Sequence, residues 1–285
     1  MKNFTITLLL ILSSTTNPAY ADINLTFGVY TSDKASTMVQ MFRPLLNALE
    51  SSLTEKFSET THISLQVASS YDQGIDDLAS GRVDFARMGP ASYITSHSRN
   101  PDIQLLAMEN SKGSKIFYGI ICVQEESPIQ TLGQLKGHTF AFGNERSTIG
   151  RYLSQLLLIQ NGIYAHDLAN YEYLGRHDRV GTAVGSGQYS AGALKESTFK
   201  KLKKNGVAIR ELARFVNVTK PWIASADLPP DQVEAIKEVL LAFDDPSALK
   251  PIKKQGFLPA SDSDYQLIRE SMDRSGEFFQ ASASN

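Results

Sequence analysis

From Ile23 onward, short apolar or β-branched runs alternate with longer stretches in which apolar residues recur every three or four positions. That alternation predicts strands followed by amphipathic helices, and hence an α/β fold with mainly parallel sheets. Ile23 to Tyr30 reads as a strand, and Thr37 to Phe57 as a helix with Met38, Met41, Phe42, Leu45, Leu46 and Leu49 at helical spacing. The strand Ile63 to Ala68, a helix near Gln73 to Ser80, the strand Asp84 to Met88 and a helix opening at Gly89-Pro90-Ala91-Ser92 complete a first series. A second series runs through Ile116 to Val123, Thr139 to Gly143, a helix from Ile149 to Gln160, Tyr171 to Leu174, a helix from His177, and Ala208 to Phe215.

Two sheets suit this length better than one. The expected division is residues 22–112 for the first part of lobe 1, 113–218 for lobe 2, and 219–285 for a return to lobe 1 with the C-terminal helices. The chain should cross between lobes near Asn110 to Lys115 and near Phe215 to Pro221. Past Lys220-Pro221-Trp222, a helix from Pro230 to Phe243 turns Val233, Ile236, Val239, Leu240 and Phe243 inward, and another lies near Tyr265 to Met272. Both are expected on the first lobe. No internal repeat or low-complexity linker interrupts the pattern, and only the Ser-rich C-terminal tail reads as disordered.

The first residues follow different rules. Lys2, the apolar stretch Phe4 to Leu12, a Ser/Thr segment and the small-x-small site Ala19-Tyr20-Ala21 together read as a secretory signal peptide, 1–21, cut after Ala21. The apolar run is too short to span a bilayer. With no Cys after the cut to carry a lipid, the expected location is a Gram-negative periplasm. Without Lys2 the chain carries 27 Lys and Arg against 30 Asp and Glu, a net charge of −3. Nucleic acid is therefore not the expected partner, because such binding rests on clustered positive charge. The single cysteine, Cys122, lies within an apolar run and is expected to be a small buried residue.

Four polar turns each follow an expected strand: Tyr30-Thr31-Ser32, Gly89-Pro90-Ala91-Ser92-Tyr93, Ser147-Thr148, and Gly175-Arg176-His177-Asp178. In open α/β sheets, ligands bind at the carboxyl ends of strands, so two turns from each lobe would line an interlobe cleft. The run Phe140 to Tyr152 is the clearest of the four. Its N–H groups lack partners at the helix start, the helix dipole is positive there, and Ser147 and Thr148 add hydroxyl donors, which together suit an oxyanion. Ser147 can equally be a plain helix cap. Ser92 and Tyr93 can be first-turn and rim packing behind Pro90, and Asp178 a simple complement to the dipole. On the functional reading, Asp178 beside the anion would favour a protonated phosphorus oxyanion over sulfate, and His177 would donate.

Catalytic patterns are missing. His62, His97, His138, His166 and His177 show no metal-ligand spacing, and neither a Walker loop, a complete dinucleotide fingerprint nor a nucleophile elbow occurs. No cofactor, no metal and no enzymatic activity are expected.

The runs Phe27-Gly28-Val29-Tyr30-Thr31-Ser32-Asp33-Lys34, Gly89-Pro90-Ala91-Ser92-Tyr93, Ser147-Thr148-Ile149-Gly150-Arg151, Gly175-Arg176-His177-Asp178, Gly192-Ala193-Leu194-Lys195-Glu196 and Thr219-Lys220-Pro221-Trp222 span nearly all of the chain after the signal. In order and spacing they resemble the PhnD-type phosphate/phosphite/phosphonate-binding proteins of ABC importers. The resemblance implies a type II periplasmic binding protein: two α/β lobes that close over a ligand and deliver it to a membrane permease. It also implies a monomer that captures a small phosphorus oxyanion, with Tyr30 and Tyr93 on one lobe, Ser147, Thr148 and His177 on the other, and Asp178 as a neighbour; Thr31 and Ser92 are ligand-binding candidates from their place in the polar turns. Where aminophosphonate-binding members tend to place an acid before Ala-Gly-Ala, this chain has Ser190, which favours phosphite, methylphosphonate or phosphate over an ammonium-bearing ligand. Two alternatives keep the scaffold: an adaptor presenting its ligand to a sensory receptor, and an enzyme, which the missing catalytic spacing disfavours.

Overall fold

A computed structural model describes residues 22–31 and 35–280. The export segment 1–21, Ser32 of the first turn and the Ser-rich tail 281–285 lie outside the described residues. In chain order the strands are β1 (Ile23–Tyr30), β2 (Thr61–Ala68), β3 (Phe85–Arg87), β4 (Gln104–Glu109), β5 (Ile116–Gln124) and β6 (Thr139–Phe142). They continue with β7 (Asn170–Tyr173), β8 (Ala191–Lys195), β9 (Ile209–Val218), β10 (Pro221–Ala224) and β11 (Phe257–Leu258). The α-helices are α1 (Ala35–Phe57), α2 (Tyr71–Ala79), α3 (Pro90–Arg99), α4 (Leu153–Gln160) and α5 (His177–Gly185), then α6 (Glu196–Lys204), α7 (Pro230–Ala242), α8 (Pro246–Leu249) and α9 (Gln266–Asp273).

Two sheets form, one ordered β11-β4-β10-β3-β1-β2 and the other β7-β6-β8-β5-β9. They are mixed, which departs from the expected parallel sheets. β1 pairs in parallel with β2 and β3, and β6 with β7 and β8, whereas β10, β11 and β5 pair antiparallel to their neighbours. For β5 and β10 the cause is the double crossing. A strand entering a sheet from the cleft must run opposite to the strands that end there, and β5 and β10 both begin just after the chain has come across from the other sheet. The two crossings are tied together, since the Thr219 N–H donates to the Lys115 carbonyl at 2.7 Å and the Glu109 N–H to the Lys220 carbonyl at 3.1 Å.

The apolar spacing of α1 buries Met38, Phe42, Leu45, Leu46, Leu49 and Leu53 against the first sheet, while Pro44 lies on the exposed side. Water can reach the carbonyl that a proline leaves without its helical partner. Beneath α1, Phe27 stacks on Trp222 with centroids 4.6 Å apart, and Phe85 closes the group at 5.0 Å from Phe27. A second apolar cluster runs through both lobes, from Tyr93 and Ile94 of α3 to Ile149, Leu153, Phe140 and Phe142. Such a cluster excludes water along the seam between the lobes.

α7 and β11 return to the first sheet's side, through contacts with α1 and β4. The last helices do not stay there. Tyr265 packs on Tyr93 of α3 at 5.1 Å, but Phe278 sits edge-on to Phe142 at 5.5 Å and to Tyr171 at 5.8 Å, on the second sheet. The C-terminal segment therefore bridges both lobes. Its apolar face is met by aromatic side chains of α3 on one side and of β6 and β7 on the other.

Cys122 lies on β5 with no exposed surface, and burial pushes its thiol up to about 12. The thiolate is the reactive form. The native protein is expected to be inert to a thiol reagent at pH 8 and to release one equivalent on denaturation; rapid labelling of the native state would contradict this placement.

Candidate ligand-binding site

β6 ends at Phe142, and the chain turns through Gly143 to Ser147, which caps a π-helical turn, Thr148–Tyr152, leading into α4. Ser147 Oγ accepts the Gly150 N–H at 2.9 Å, and the Ser147 carbonyl accepts both the Arg151 and Tyr152 N–H groups. The wide turn presses directly on the strand's continuation: a Cβ on Gly150 would lie 2.7 Å from Gly143 Cα, and the Gly143 N–H donates to the Gly150 carbonyl at 2.8 Å. Only a side-chain-free pair permits this approach. Next to it, the Gly175 N–H donates to the Gly143 carbonyl at 3.0 Å, bringing His177, the first residue of α5, to the same end of the sheet.

The opposite wall comes from the first lobe. Tyr30 ends β1, and its phenol oxygen accepts the Gly89 N–H and lies 2.9 Å from Ser92 Oγ. Burial raises the pKa of this phenol above its ordinary value, so it stays protonated. When Ser92 donates to it, both phenol lone pairs are engaged and the phenol proton is left to point into the cleft. A Cβ on Gly89 would meet the Tyr30 hydroxyl at 2.9 Å and Thr148 Oγ1 at 3.6 Å, which is why α3 can start so close to both. Across the cleft, Thr148 Oγ1 accepts the Ala91 N–H at 3.0 Å. One hydrogen bond thus joins two helix starts from opposite lobes.

Between these walls is a cavity of about 30 Å³, lined among others by Tyr30, Ser147, Thr148, His177, Lys195 and Lys220. A cavity of this size exceeds the roughly 10–15 Å³ that one water requires and suits a compact tetrahedral group. Asn217, 1% exposed, also lines it; its Oδ1 accepts the Val218 N–H at 2.8 Å, leaving the NH2 as donor. Ser147 and Thr148 each use a lone pair on a backbone N–H and keep a hydroxyl proton to give. No Asp or Glu is among the lining residues. Hydroxyl, amide and cationic donors without a carboxylate make a site for an anion.

Of the eight residues singled out from the sequence, Tyr30, Ser147, Thr148 and His177 meet at this cavity. Ser92 stands behind it, as the partner of Tyr30. Thr31 turns away, its hydroxyl donating to the Ser69 carbonyl at 2.9 Å. Tyr93 is buried in the seam and donates to Asp262 at 2.8 Å. Asp178 does not reach the cavity; it holds Arg176 at 3.0 and 2.8 Å, and although burial works the other way, that guanidinium keeps its carboxyl below the usual range. It therefore cannot sort protonated from ionised ligands, and it stands at the positive end of α5 as a helix-start acid.

Ser190 is displaced further still. β8 runs parallel to β6 with Ala191 opposite Phe140, so Ser190 sits at the far end of the sheet, 3.3 Å from the Thr139 hydroxyl. Five residues of strand, about 16 Å, separate it from Lys195 at the cavity. The ligand's substituent is not read by position 190. The sequence reasoning also passed over Lys195, Lys220, Asn217 and Phe117. Lys195 carries the one available signal, a cation ending a strand at the same sheet edge as Ser147. Lys220 and Asn217 flank a crossing between sheets, and nothing local marks them as facing a cavity. Among the described residues, no cluster of His, Cys, Asp or Glu could hold a metal ion.

The model of the family described as "ABC transporter, phosphonate, periplasmic substrate-binding protein" matches residues 27–265. The chain belongs to this family. Its members are periplasmic substrate-binding proteins of ABC transporters. The chain is 26% identical over 210 residues to a probable ABC transporter phosphite binding protein, PhnD1, of Prochlorococcus marinus (strain MIT 9301), covering 66% of this chain and 70% of that protein. The same PhnD1 in complex with methylphosphonate superposes with a TM-score of 0.77 at 20% identity, over 89% of this chain and 98% of that one. A binding protein component of an ABC phosphonate transporter from Pseudomonas aeruginosa, PA3383, gives a TM-score of 0.78 at 14% identity, over 92% and 90%. XAC2383 from Xanthomonas citri, bound to chloride, gives 0.75 at 23%, over 89% and 99%. These structures share the two-lobed fold of this phosphonate-binding family member.

A second contact spans the cleft mouth, where Arg146 lies 3.0 Å from Asp72 with both side chains about half exposed. An exposed pair contributes roughly 0.2–1 kcal/mol. Asp72→Ala is expected to weaken ligand affinity by up to about fivefold at low salt and less at 0.5 M salt. Titration at the two ionic strengths checks this, and a salt-independent loss would contradict the latch.

Proposed function

We propose that the protein is an exported receptor that captures a small phosphorus oxyanion (a phosphonate, phosphite or phosphate) and presents it to the inner-membrane permease of an ABC importer. Met1 to Ala21 is its cleaved signal, the periplasm its location, and the monomer its working form. Lobe 1 comprises residues 22–112 and takes the chain back from residue 219, lobe 2 comprises residues 113–218, and the last helices bridge the two. The observation that carries the reading is the cavity between the lobes, with hydroxyl, imidazole, amide and ammonium groups in its lining and no carboxylate.

Tyr30, Ser147, Thr148 and His177 hold the oxygens of the ligand, with Lys195 and Lys220 supplying positive charge. Closing the lobes expels water and strengthens these bonds, because a charge-assisted hydrogen bond gains in a drier site. No bond of the ligand is made or broken. The methylphosphonate complex of PhnD1, a protein of the same fold, supports phosphorus as the central atom.

The test is calorimetry on protein freed of carried-over ligand by unfolding and refolding. Methylphosphonate, phosphite or phosphate should bind. Hydrogen bonds to a charged group are each worth about 1.5–3 kcal/mol, so the Ser147→Ala/Thr148→Ala double variant should bind more than about a hundredfold more weakly. Circular dichroism should show it folded, despite losing a helix cap worth about 1 kcal/mol. If the unmodified protein bound none of the phosphorus compounds, the proposal would fail.

A further inference from the structure

A second and larger cavity, about 340 Å³, opens beside the oxyanion seat. Phe117, Lys195 and Lys220 line both spaces, so the two adjoin at a neck of one ring and two lysines. The volume alone lies within the range of about 300–1,000 Å³ common to small-molecule sites. It is far more than a methyl group or a lone hydrogen on phosphorus would occupy.

The wall of this outer chamber is cationic. Arg87, Lys201, Lys253 and Lys254 join the two lysines of the neck, against two carboxylates, Glu109 and Glu196. Both carboxylates already have close partners. Glu109, 1% exposed, lies 2.7 Å from Arg87 and 3.5 Å from Lys254, and Glu196 lies 2.8 Å from Lys200 and 2.7 Å from Arg214. Lys200 and Arg214 are not part of the chamber lining, so Glu196 is turned in part toward charges outside it. The first turn of α6 adds the hydroxyls of Ser197 and Thr198. A concave wall of one dominant sign raises the local concentration of the opposite charge. An ammonium placed there would face six cations against two carboxylates that are already paired.

We propose that the ligand is a phosphorus oxyanion whose substituent ends in a second anionic group, a carboxylate or another phosphoryl group, held in this chamber while the first group occupies the seat. This rests on the oxyanion reading of the seat and deepens it. The neck lysines lie between the two anionic ends, and Lys201 and Lys253 face only the second. Selectivity against ammonium-bearing phosphonates then comes from this chamber and not from position 190.

The experiment is calorimetry of the refolded protein with methylphosphonate, 2-aminoethylphosphonate, 3-phosphonopropionate and ethane-1,2-bisphosphonate. One or both of the last two should bind at least about tenfold more tightly than 2-aminoethylphosphonate. The Lys201→Glu/Lys253→Glu double variant, altered at two exposed positions, should cut that advantage at least about fivefold and leave methylphosphonate affinity within about twofold. Equal or tighter binding of 2-aminoethylphosphonate would overturn the proposal, as would a double variant that weakens methylphosphonate as much as the doubly anionic ligands. If methylphosphonate binds and neither doubly anionic compound exceeds it, the chamber proposal fails and the oxyanion seat stands. If no phosphorus compound binds, both fall.

Discussion

Two helix starts from opposite lobes face each other across a single hydrogen bond, from the Ala91 N–H to Thr148 Oγ1. Each start carries partial positive charge, and a third, at His177, joins them beside two lysines. Bringing like charges together opposes closure. An anion between them reverses the sign of that interaction, so closing becomes favourable when the seat is filled. A ligand can shift a conformational equilibrium only by binding one state better than the other. On the proposed function the differential comes from electrostatics, because donors from both lobes line one cavity and an anion seated there meets both at once.

The fold supplies what this constraint requires. All the strands that carry seat residues present their cleft ends together, because the two crossings make β5 and β10 begin where the others finish. Gly143 and Gly150 let the π-helical turn lie flat on the end of β6, which sets the height of Ser147 and Thr148 above the sheet. Behind them, the apolar seam from α3 through α4 to Tyr265 and Phe278 offsets part of the electrostatic cost of closing. The hydrogen-bonded crossings at Lys115 and Thr219 connect the lobes on the other side of the seat.

The same geometry divides the polar residues into those that line the cavity and those that hold its walls. Ser92 fixes Tyr30, Tyr93 anchors α3 to Asp262, and Asp178 neutralises Arg176. All three are polar groups at or near a helix start, and so they look alike in one dimension. What separates them is direction. α3 buries Tyr93 in the seam, away from the cavity, and Asp178 follows His177 by one residue, about 100° further around the helix.

Much was legible in the chain itself. Apolar periodicity located β1, α1, β6, α5 and α7 to within a few residues, because those elements bury one face and expose the other. The hydroxyl pair after β6 and the histidine after β7 were visible as polar turns at strand ends, where local chemistry and helix-start geometry coincide. Strand direction was not legible, since antiparallel entry follows from which sheet the previous strand occupied. Neither was the bridging of the C-terminal helices, whose apolar faces fit either lobe. Lys195 and Lys220, 25 residues apart, become neighbours at one neck only when β8 and the second crossing are laid against β5. The sequence by itself determined the elements, the export signal's pattern and the anion-seeking turns, because those depend on near neighbours. Tertiary structure alone decided which polar groups line the cavity and what lies beyond it, because that depends on strand direction and on charges brought together from distant parts of the chain.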